Sequence, residues 1–212
     1  MTVKIGVISD VHANAPPLNE ALALFAREGV DTILCAGDIA GYGSDLAQTV
    51  RLLTESHSLT VAGNHDLWAL DSSNSVLDES VDSYLRSLPK KLEFFVAGKS
   101  LYLVHASPPD SQLNGIKLLD EKGRLIGAQK EFWNASLHSF PYDLLVVGHT
   151  HQLFTERFGD LLVVNPGSTV FNHSCMILHL PEMVVQILPL SGKKPLLAWN
   201  WGVEAQMTGI SE

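Results

Sequence analysis

Five apolar, strand-like runs in this chain each stop on a carboxylate, amide or imidazole: KIGVIS on Asp10, TILCAG on Asp38, LTVAG on Asn64, LYLV on His105 and LLVVG on His149. Few folds satisfy such a pattern. In an open α/β sheet, ligands bind in the crevice beyond the carboxyl ends of the strands, so residues far apart in sequence converge there. With His12 and His151 added, the set of two Asp, one Asn and four His is the ligand list of a two-ion centre.

The first half alternates strand and helix. After the run at 3 to 8 and the loop DVHAN, Asn14 is placed to cap a helix with Pro16 or Pro17 in its first turn, and Gly29 ends it. A buried strand is expected at 32 to 36, then the glycine-rich loop GDIAGYG, a helix DLAQTVRLLTE capped by Ser44, and the strand SLTVAG. This βαβαβ order implies parallel pairing with helices covering the sheet. A mainly polar helix is expected over 76 to 87. In the second half, pairs of apolar runs flank Gly98-Lys99, Gly159-Asp160 and Pro181-Glu182, which are hairpin signals, and residues 120 to 138 have a helical pattern. Joining a parallel half to an antiparallel half predicts an α/β fold with two mixed sheets packed face to face and helices outside. The length of 212 residues fits one domain over 1–212, with 191–212 a tail that docks on the body or serves a partner.

Charge narrows the partners. The formal net charge is −9, and the five arginines, Arg27, Arg51, Arg86, Arg124 and Arg157, are scattered. Nucleic-acid backbone binding relies on clustered Lys and Arg, so no broad nucleic-acid surface is expected. An anionic substrate would have to be neutralised by bound metal rather than by an arginine clamp. No apolar stretch approaches the roughly 18 residues of a membrane helix, and MTVKIGVISD carries no signal-peptide pattern, so a cytoplasmic protein with no membrane partner is expected. Cys35 and Cys175 fall inside apolar runs and are expected as small buried hydrophobes. Whether the chain forms a homo-oligomer is left open.

The spacing carries the chemistry. In an extended segment, residues two apart project to the same side, so Asp10 with His12 and His149 with His151 each reach one crevice. Asp38 can bridge two ions with its two oxygens, while Asn64 and His105 add a carbonyl and an imidazole. Such oxygen and nitrogen ligation suits divalent transition metals, Mn first, then Fe, Ni, Co or Zn. Gly37, Gly63 and Gly148 each precede a ligand, where the backbone must stay clear of metal and substrate. Gly41 and Gly43 would let the following loop form an anion nest. Asn165-Pro166-Gly167-Ser168 ends another apolar run on the same edge and is placed to pack beneath the histidine pair or add a hydrogen bond. His65 is beside a ligand but points elsewhere, which suits a general acid; Asp66 would fix its tautomer and raise its pKa.

The ordered segments SDVH, GDIAGYG, GNHD, VHASP, GHTHQ and NPGS resemble the motif series of the calcineurin-like metallophosphoesterase superfamily, particularly its small single-domain prokaryotic phosphodiesterases. The resemblance covers roughly residues 3 to 170. It implies a four-layer αββα sandwich, a small-molecule phosphate ester as substrate, and hydrolysis at two divalent metal ions. Asp10, His12 and His151 would hold one ion, Asn64, His105 and His149 the second, and Asp38 would bridge; His65 and Asp66 would serve the leaving group. The chain departs from the pattern at Ala106, often glycine, and at TVFNHS after NPGS, where relatives often offer an arginine.

Other histidines, His57, His138, His173 and His179, have an ordinary structural reading, with His173 near enough to NPGS to line the pocket. Tyr42 is expected as a loop packing residue, Trp68 as core or pocket wall, Trp133 as helix packing, and Asp78, Glu79 and Asp82 as a solvated helix face. The alternative to an enzyme is a non-enzymatic protein-binding scaffold on the same fold, as in the retromer subunit that resembles these phosphatases. A complete GNHD with all seven ligands favours the enzyme.

Overall fold

The structure is a computed structural model that describes residues 2–71 and 77–200. Chain order is β1 (Val3–Ile8), α1 (Ala15–Glu28), β2 (Thr32–Cys35), α2 (Leu46–Glu55), β3 (Leu59–Thr60), α3 (Asn64–Asp71) and α4 (Glu79–Ser87). It continues through β4 (Lys91–Val96), β5 (Lys99–Val104), α5 (Gly127–Ser136), β6 (Leu144–Val146), β7 (Leu153–Phe158), β8 (Leu161–Pro166), β9 (Ser174–Leu180) and β10 (Val184–Pro189). One five-stranded sheet has the order β10-β9-β1-β2-β3 and the other β4-β5-β6-β8-β7. Each is mixed: β1, β2 and β3 run parallel while β9 is antiparallel to β1, and β5, β6 and β8 run parallel between antiparallel β4 and β7.

Period-two alternation sorts the strand residues into three apolar layers. Ile5 and Val7 of β1, Leu101 and Leu103 of β5, Leu144 and Val146 of β6, and Met176 and Leu178 of β9 meet between the two sheets. Their neighbours face outward. Ile8, Cys35, Cys175 and Ile177 pack beneath Leu18 and Phe25 of α1, Leu53 of α2 and Leu85 of α4. Tyr102, Val104, Leu145 and Val163 pack against Leu137 and Trp133, near the end of α5, and against the loop residues Ile116 and Leu118. Three buried layers separate four structural ones, which is the αββα sandwich.

Most punctuation falls where turn chemistry puts it. Gly29 ends α1 in the left-handed region at φ 66°. Ala97 and Gly98, both at positive φ, join β4 to β5 in a two-residue hairpin, one residue earlier than the expected Gly98-Lys99 because Lys99 already pairs with Val96. Other boundaries differ from expectation. Asp45, not Ser44, stands at the N-cap of α2. The strand expected over SLTVAG pairs only at Leu59–Thr60, because Ala62 N–H turns away to Pro89 O. α4 starts at Glu79, and residue 76 of the expected helix lies outside the described residues. The helix expected from 120 starts at Gly127, because the Asp120 carboxylate accepts the Lys122 and Arg124 N–H groups and Gly123 takes φ 74°, closing a tight turn first. Both cysteines are buried and free. Among the described residues no helix is long and apolar enough to cross a membrane.

Candidate metal centre

All six parallel strands end at one edge of the sandwich, and the two sheets meet there through their terminal loops. Asp10 follows β1, Asp38 follows β2, Asn64 opens α3 after β3, His105 follows β5, and His149 and His151 follow β6. Cross-sheet bonds lock the edge. His149 N–H donates to both Asp10 oxygens at 3.2 and 3.0 Å, His105 Nδ1 to Ala36 O at 2.7 Å, and Ser168 Oγ to Asp10 O at 2.6 Å.

The backbone there is not extended, contrary to the geometry inferred for Asp10-Val11-His12 and His149-Thr150-His151. Asp10, His12, Asp38, His149 and His151 all have positive φ, between 46° and 67°. The pairs do converge, but through left-handed turns. A non-glycine residue in that region is uncommon, and clustering at one site is the pattern that function imposes on a fold.

The seven candidate ligands come together as expected. Asp10, His12 and His151 present ligand atoms within 4.8 Å of one another; so do Asp38, His105 and His149. Asn64 Oδ1 sits 3.1 Å from His105 Nε2 and 2.9 Å from His149 Nδ1. His12 Nε2 and His151 Nε2 are 2.9 Å apart. The far ring nitrogens of His12 and His105 are occupied, each Nδ1 facing a backbone carbonyl, Ala40 O at 3.2 Å and Ala36 O at 2.7 Å. Their Nε2 atoms are thereby aimed inward, the orienting contact typical of metal-binding histidines. Asn64 has two chemically distinct orientations. With its oxygen toward the two rings it offers a lone pair to a cation; turned over, its nitrogen donates to His105, His149 and Gln112 O.

Charge makes the same demand. Asp10 and Asp38 are buried, and two buried carboxylates require compensating positive charge. Protonation supplies part of it: burial works against a charged His105, yet the adjacent Asp38, with Asp10 behind it, raises its pKa to about 9. Burial likewise raises the Asp38 carboxyl, but His105 outweighs it and holds it below the ordinary value. Burial lowers His12 to about 4, which keeps its ring neutral and able to act as a ligand. The donor set, four imidazoles, two carboxylates and an amide oxygen, fits divalent transition metals.

The glycines expected to clear the backbone do so. A Cβ on Gly63 would clash with Asp38 Oδ1, one on Gly148 with Ser9 Oγ, and one on Gly37 would lie 2.8 Å from Gly63 N. The anion nest is not formed. Gly43 N–H donates to His12 O and Ala40 N–H to Asp66, so the loop folds down onto His12.

Asp66 requires a correction. Its carboxylate does not touch His65; it accepts Ala40 N–H and Gly63 N–H, each at 2.8 Å, tying the loop after β2 to the loop after β3. His65 instead has Tyr42 Oη 3.1 Å from Nε2, and burial lowers its pKa, outweighing the opposing pull of Asp38 and Asp10. Asn165 lies beneath the histidine pair as expected, donating to Gly148 O and Thr150 Oγ1. Sequence reasoning missed α3 and gave Tyr42 only a packing role. It also missed the rings of Phe171, stacked on His151 at 5.2 Å, and Trp199, stacked on Phe171 at 4.0 Å. His173 does not line the cavity of about 580 Å³ over the site, whereas Trp68 does.

A family model for the calcineurin-like phosphoesterase superfamily domain matches residues 3–182. The chain belongs to that superfamily. Its members are phosphoester hydrolases, and this chain is accordingly an enzyme of the metallophosphoesterase class. An uncharacterized protein of Methanocaldococcus jannaschii is 28% identical over 86% of this chain and 76% of its own length. A phosphodiesterase of the same organism is 23% identical over 78% of this chain and 83% of its own length. Among solved structures, a metallophosphoesterase from Sphaerobacter thermophilus superposes with a TM-score of 0.70 at 22% identity, covering 99% of this chain and 95% of that one. That likeness is one of fold.

Proposed function

We propose that this metallophosphoesterase hydrolyses phosphate esters, with phosphodiesters as its preferred class, at a centre of two divalent metal ions, manganese first among them. Asp10, His12 and His151 would hold one ion and Asn64, His105 and His149 the other, with Asp38 between. The chemistry two such ions supply when bound is activation of a water for in-line attack and neutralisation of the phosphoryl oxygens. One observation carries the reading: two groups of ligand atoms converge at one sheet edge, and Asp38, 3.4 Å from His105 Nε2 in one group, also comes within 4.8 Å of a ligand atom of His12 in the other.

The protein's own groups supply the rest. His65, the first residue after Asn64 in α3, has its backbone N–H fixed to Asp38 Oδ1 at 2.9 Å, so its ring stands at a set height over the centre. Its Nε2, facing the Tyr42 hydroxyl, would carry the proton for the departing alkoxide. Asp66 is a positioning residue that holds two ligand-bearing loops together. Lys117 is the cationic residue among those lining the cavity, so phosphate charge is left chiefly to the metals. The substrate is a small-molecule ester that enters the cavity.

The test is metal loading followed by side-by-side hydrolysis of bis-nitrophenyl phosphate and nitrophenyl phosphate with Mn, Ni, Co, Zn and Mg. About two ions per chain and faster diester hydrolysis are expected. Asp38→Asn should lose more activity than His12→Ala or His105→Ala, since it serves both groups. A stoichiometry at or below one, or Asp38→Asn retaining both ions and most of the rate, overturns the two-ion assignment.

A further inference from the structure

Beyond residue 182, where the family match ends, the chain returns across the sheet edge and becomes part of the site. Leu190 N–H donates to His173 O, Leu196 N–H to Asn172 O, Leu153 N–H to Leu197 O, and Trp199 N–H to His151 O, all between 2.8 and 3.2 Å. Gln152 and Ala198 form a β-bridge. Buried Asn172 pins the crossing, its Nδ2 donating to both His151 O and Leu196 O. Asn200 Nδ2 then donates to Glu121 Oε1 at 3.0 Å, joining this strap to the 117–126 loop.

The strap and that loop enclose a lobe of the cavity beside the metal centre. Leu119, Ile126, Ala198 and Trp199 line it, and Trp68, whose ring lies beside that of His65, lines the same cavity. Trp199 is held nearly parallel to Phe171, at 18°, so its ring plane is fixed before any ligand arrives. About 580 Å³ is the volume of a drug-sized ligand site, well beyond what a phosphate with a small alkyl group fills. Charge restricts the occupant further. Lys117 shares the lining with Asp120 and Glu121, and Asp120 is already paired with Arg124 at 2.7 Å. A polyphosphate chain, carrying several negative charges, would meet those carboxylates; a diester carries one.

We propose that this lobe is a substrate subsite for the planar aromatic group of a nucleoside phosphodiester, with Trp199 as the stacking platform. Stacking on an indole is tolerant of which base is bound, because every base has a π-face. The proposal rests on the phosphodiesterase reading above and adds the identity of the group on the phosphate that is not displaced.

Two substrates with a common leaving group test it: p-nitrophenyl methyl phosphate and the p-nitrophenyl ester of thymidine 5′-phosphate, each with the manganese-loaded full chain. Because both release nitrophenolate, the ratio of kcat/KM reports only the retained group. The nucleoside ester should be preferred by at least about tenfold, mainly through KM, the scale of one base stacked on an aromatic ring. Trp199→Ala should lose about tenfold more on the nucleoside ester than on the methyl ester, and Trp199→Phe should restore most of the preference. Equal wild-type rates on the two esters overturn the subsite while leaving the phosphoesterase reading intact. So does an equal loss on both in Trp199→Ala, which would make the strap a structural element only. Failure to hydrolyse either ester by protein that has taken up its metal overturns the reading underneath. Faster hydrolysis of a dinucleoside tetraphosphate than of the thymidine ester would refute the charge argument.

Discussion

Truncating Asn165 should weaken the fold and the metal centre together, although Asn165 binds no metal. Its side chain is fully buried at the end of β8. Nδ2 donates to Gly148 O at 2.9 Å and to Thr150 Oγ1 at 3.1 Å, while Oδ1 accepts Gly167 N–H at 2.9 Å. Asn165→Ala deletes all three bonds, each worth about 1 kcal/mol net, for a loss of about 3 kcal/mol. In a domain of this size that lowers the thermal midpoint by about 6–12 °C. The affected residues Gly148 and Thr150 flank His149 and precede His151, so metal affinity should fall about 10–100-fold, the usual consequence of losing an outer support. Asn165→Asp keeps the volume and the bond to Gly167, but turns an oxygen toward Gly148 O. Its loss should match or exceed that of the alanine variant. Thermal unfolding in chelator isolates the fold term, and metal titration followed by elemental analysis isolates the site term. A stability change under about 0.5 kcal/mol, or destabilisation with unchanged metal affinity, would refute the idea that this amide holds the histidine turn.

His65→Ala should keep its metal but lose roughly 10²–10⁴-fold in rate, with a smaller loss on nitrophenyl esters than on alkyl diesters; a uniform loss would make His65 a positioning residue. Asp66→Asn should lose activity equally across leaving groups, because its carboxylate holds backbone rather than the His65 ring; a profile matching His65→Ala would contradict that assignment. In Gly63→Ala the new methyl group would clash with Asp38 Oδ1 and sit 2.8 Å from its Cγ, so overpacking of about 1–3 kcal/mol and impaired metal uptake should appear in unfolding and titration measurements. Manganese at a hundredfold excess over its dissociation constant should stabilise the fold by about 2.7 kcal/mol per site, read as a midpoint shift that chelator reverses, and no shift would argue against a native-state ion site.

The sandwich was legible because its signals are local. Strand runs alternate or are wholly apolar, and Gly29, Gly98 and Gly159 sit where positive φ is required. The convergence of the seven candidate ligands on one edge was equally legible, since a strand end is a position the sequence marks. What escaped was set by contacts across long separations. Nothing near Asp120 announces that its carboxylate will take two backbone N–H groups and delay α5 to Gly127. Asp66 stands beside His65 in sequence, but in the first turn of α3 neighbouring side chains diverge, and the carboxylate finds Ala40 N–H across the adjacent loop. Phe171 and Trp199 lie in segments without periodicity, and their stack exists only because Asn172 carries the strap over His151.

The five candidate ligands with positive φ connect site to stability. Each non-glycine residue held in that region costs on the order of 1 kcal/mol or more. Local sequence does not favour those turns; bonds from elsewhere impose them. Ser168 Oγ holds Asp10 O, Asn172 Nδ2 holds His151 O, and Asp66 holds the Ala40 and Gly63 amides on either side of Asp38. These supports come from α3, which follows β3 of one sheet, and from the loop that joins β8 of the other sheet to β9, so strain at the centre is distributed over both sheets. It follows that replacing a supporting residue should unsettle the fold more than replacing a candidate ligand such as His149, which is only partly buried and lines the cavity. The ligand change should act mainly on metal uptake, and the support change on both.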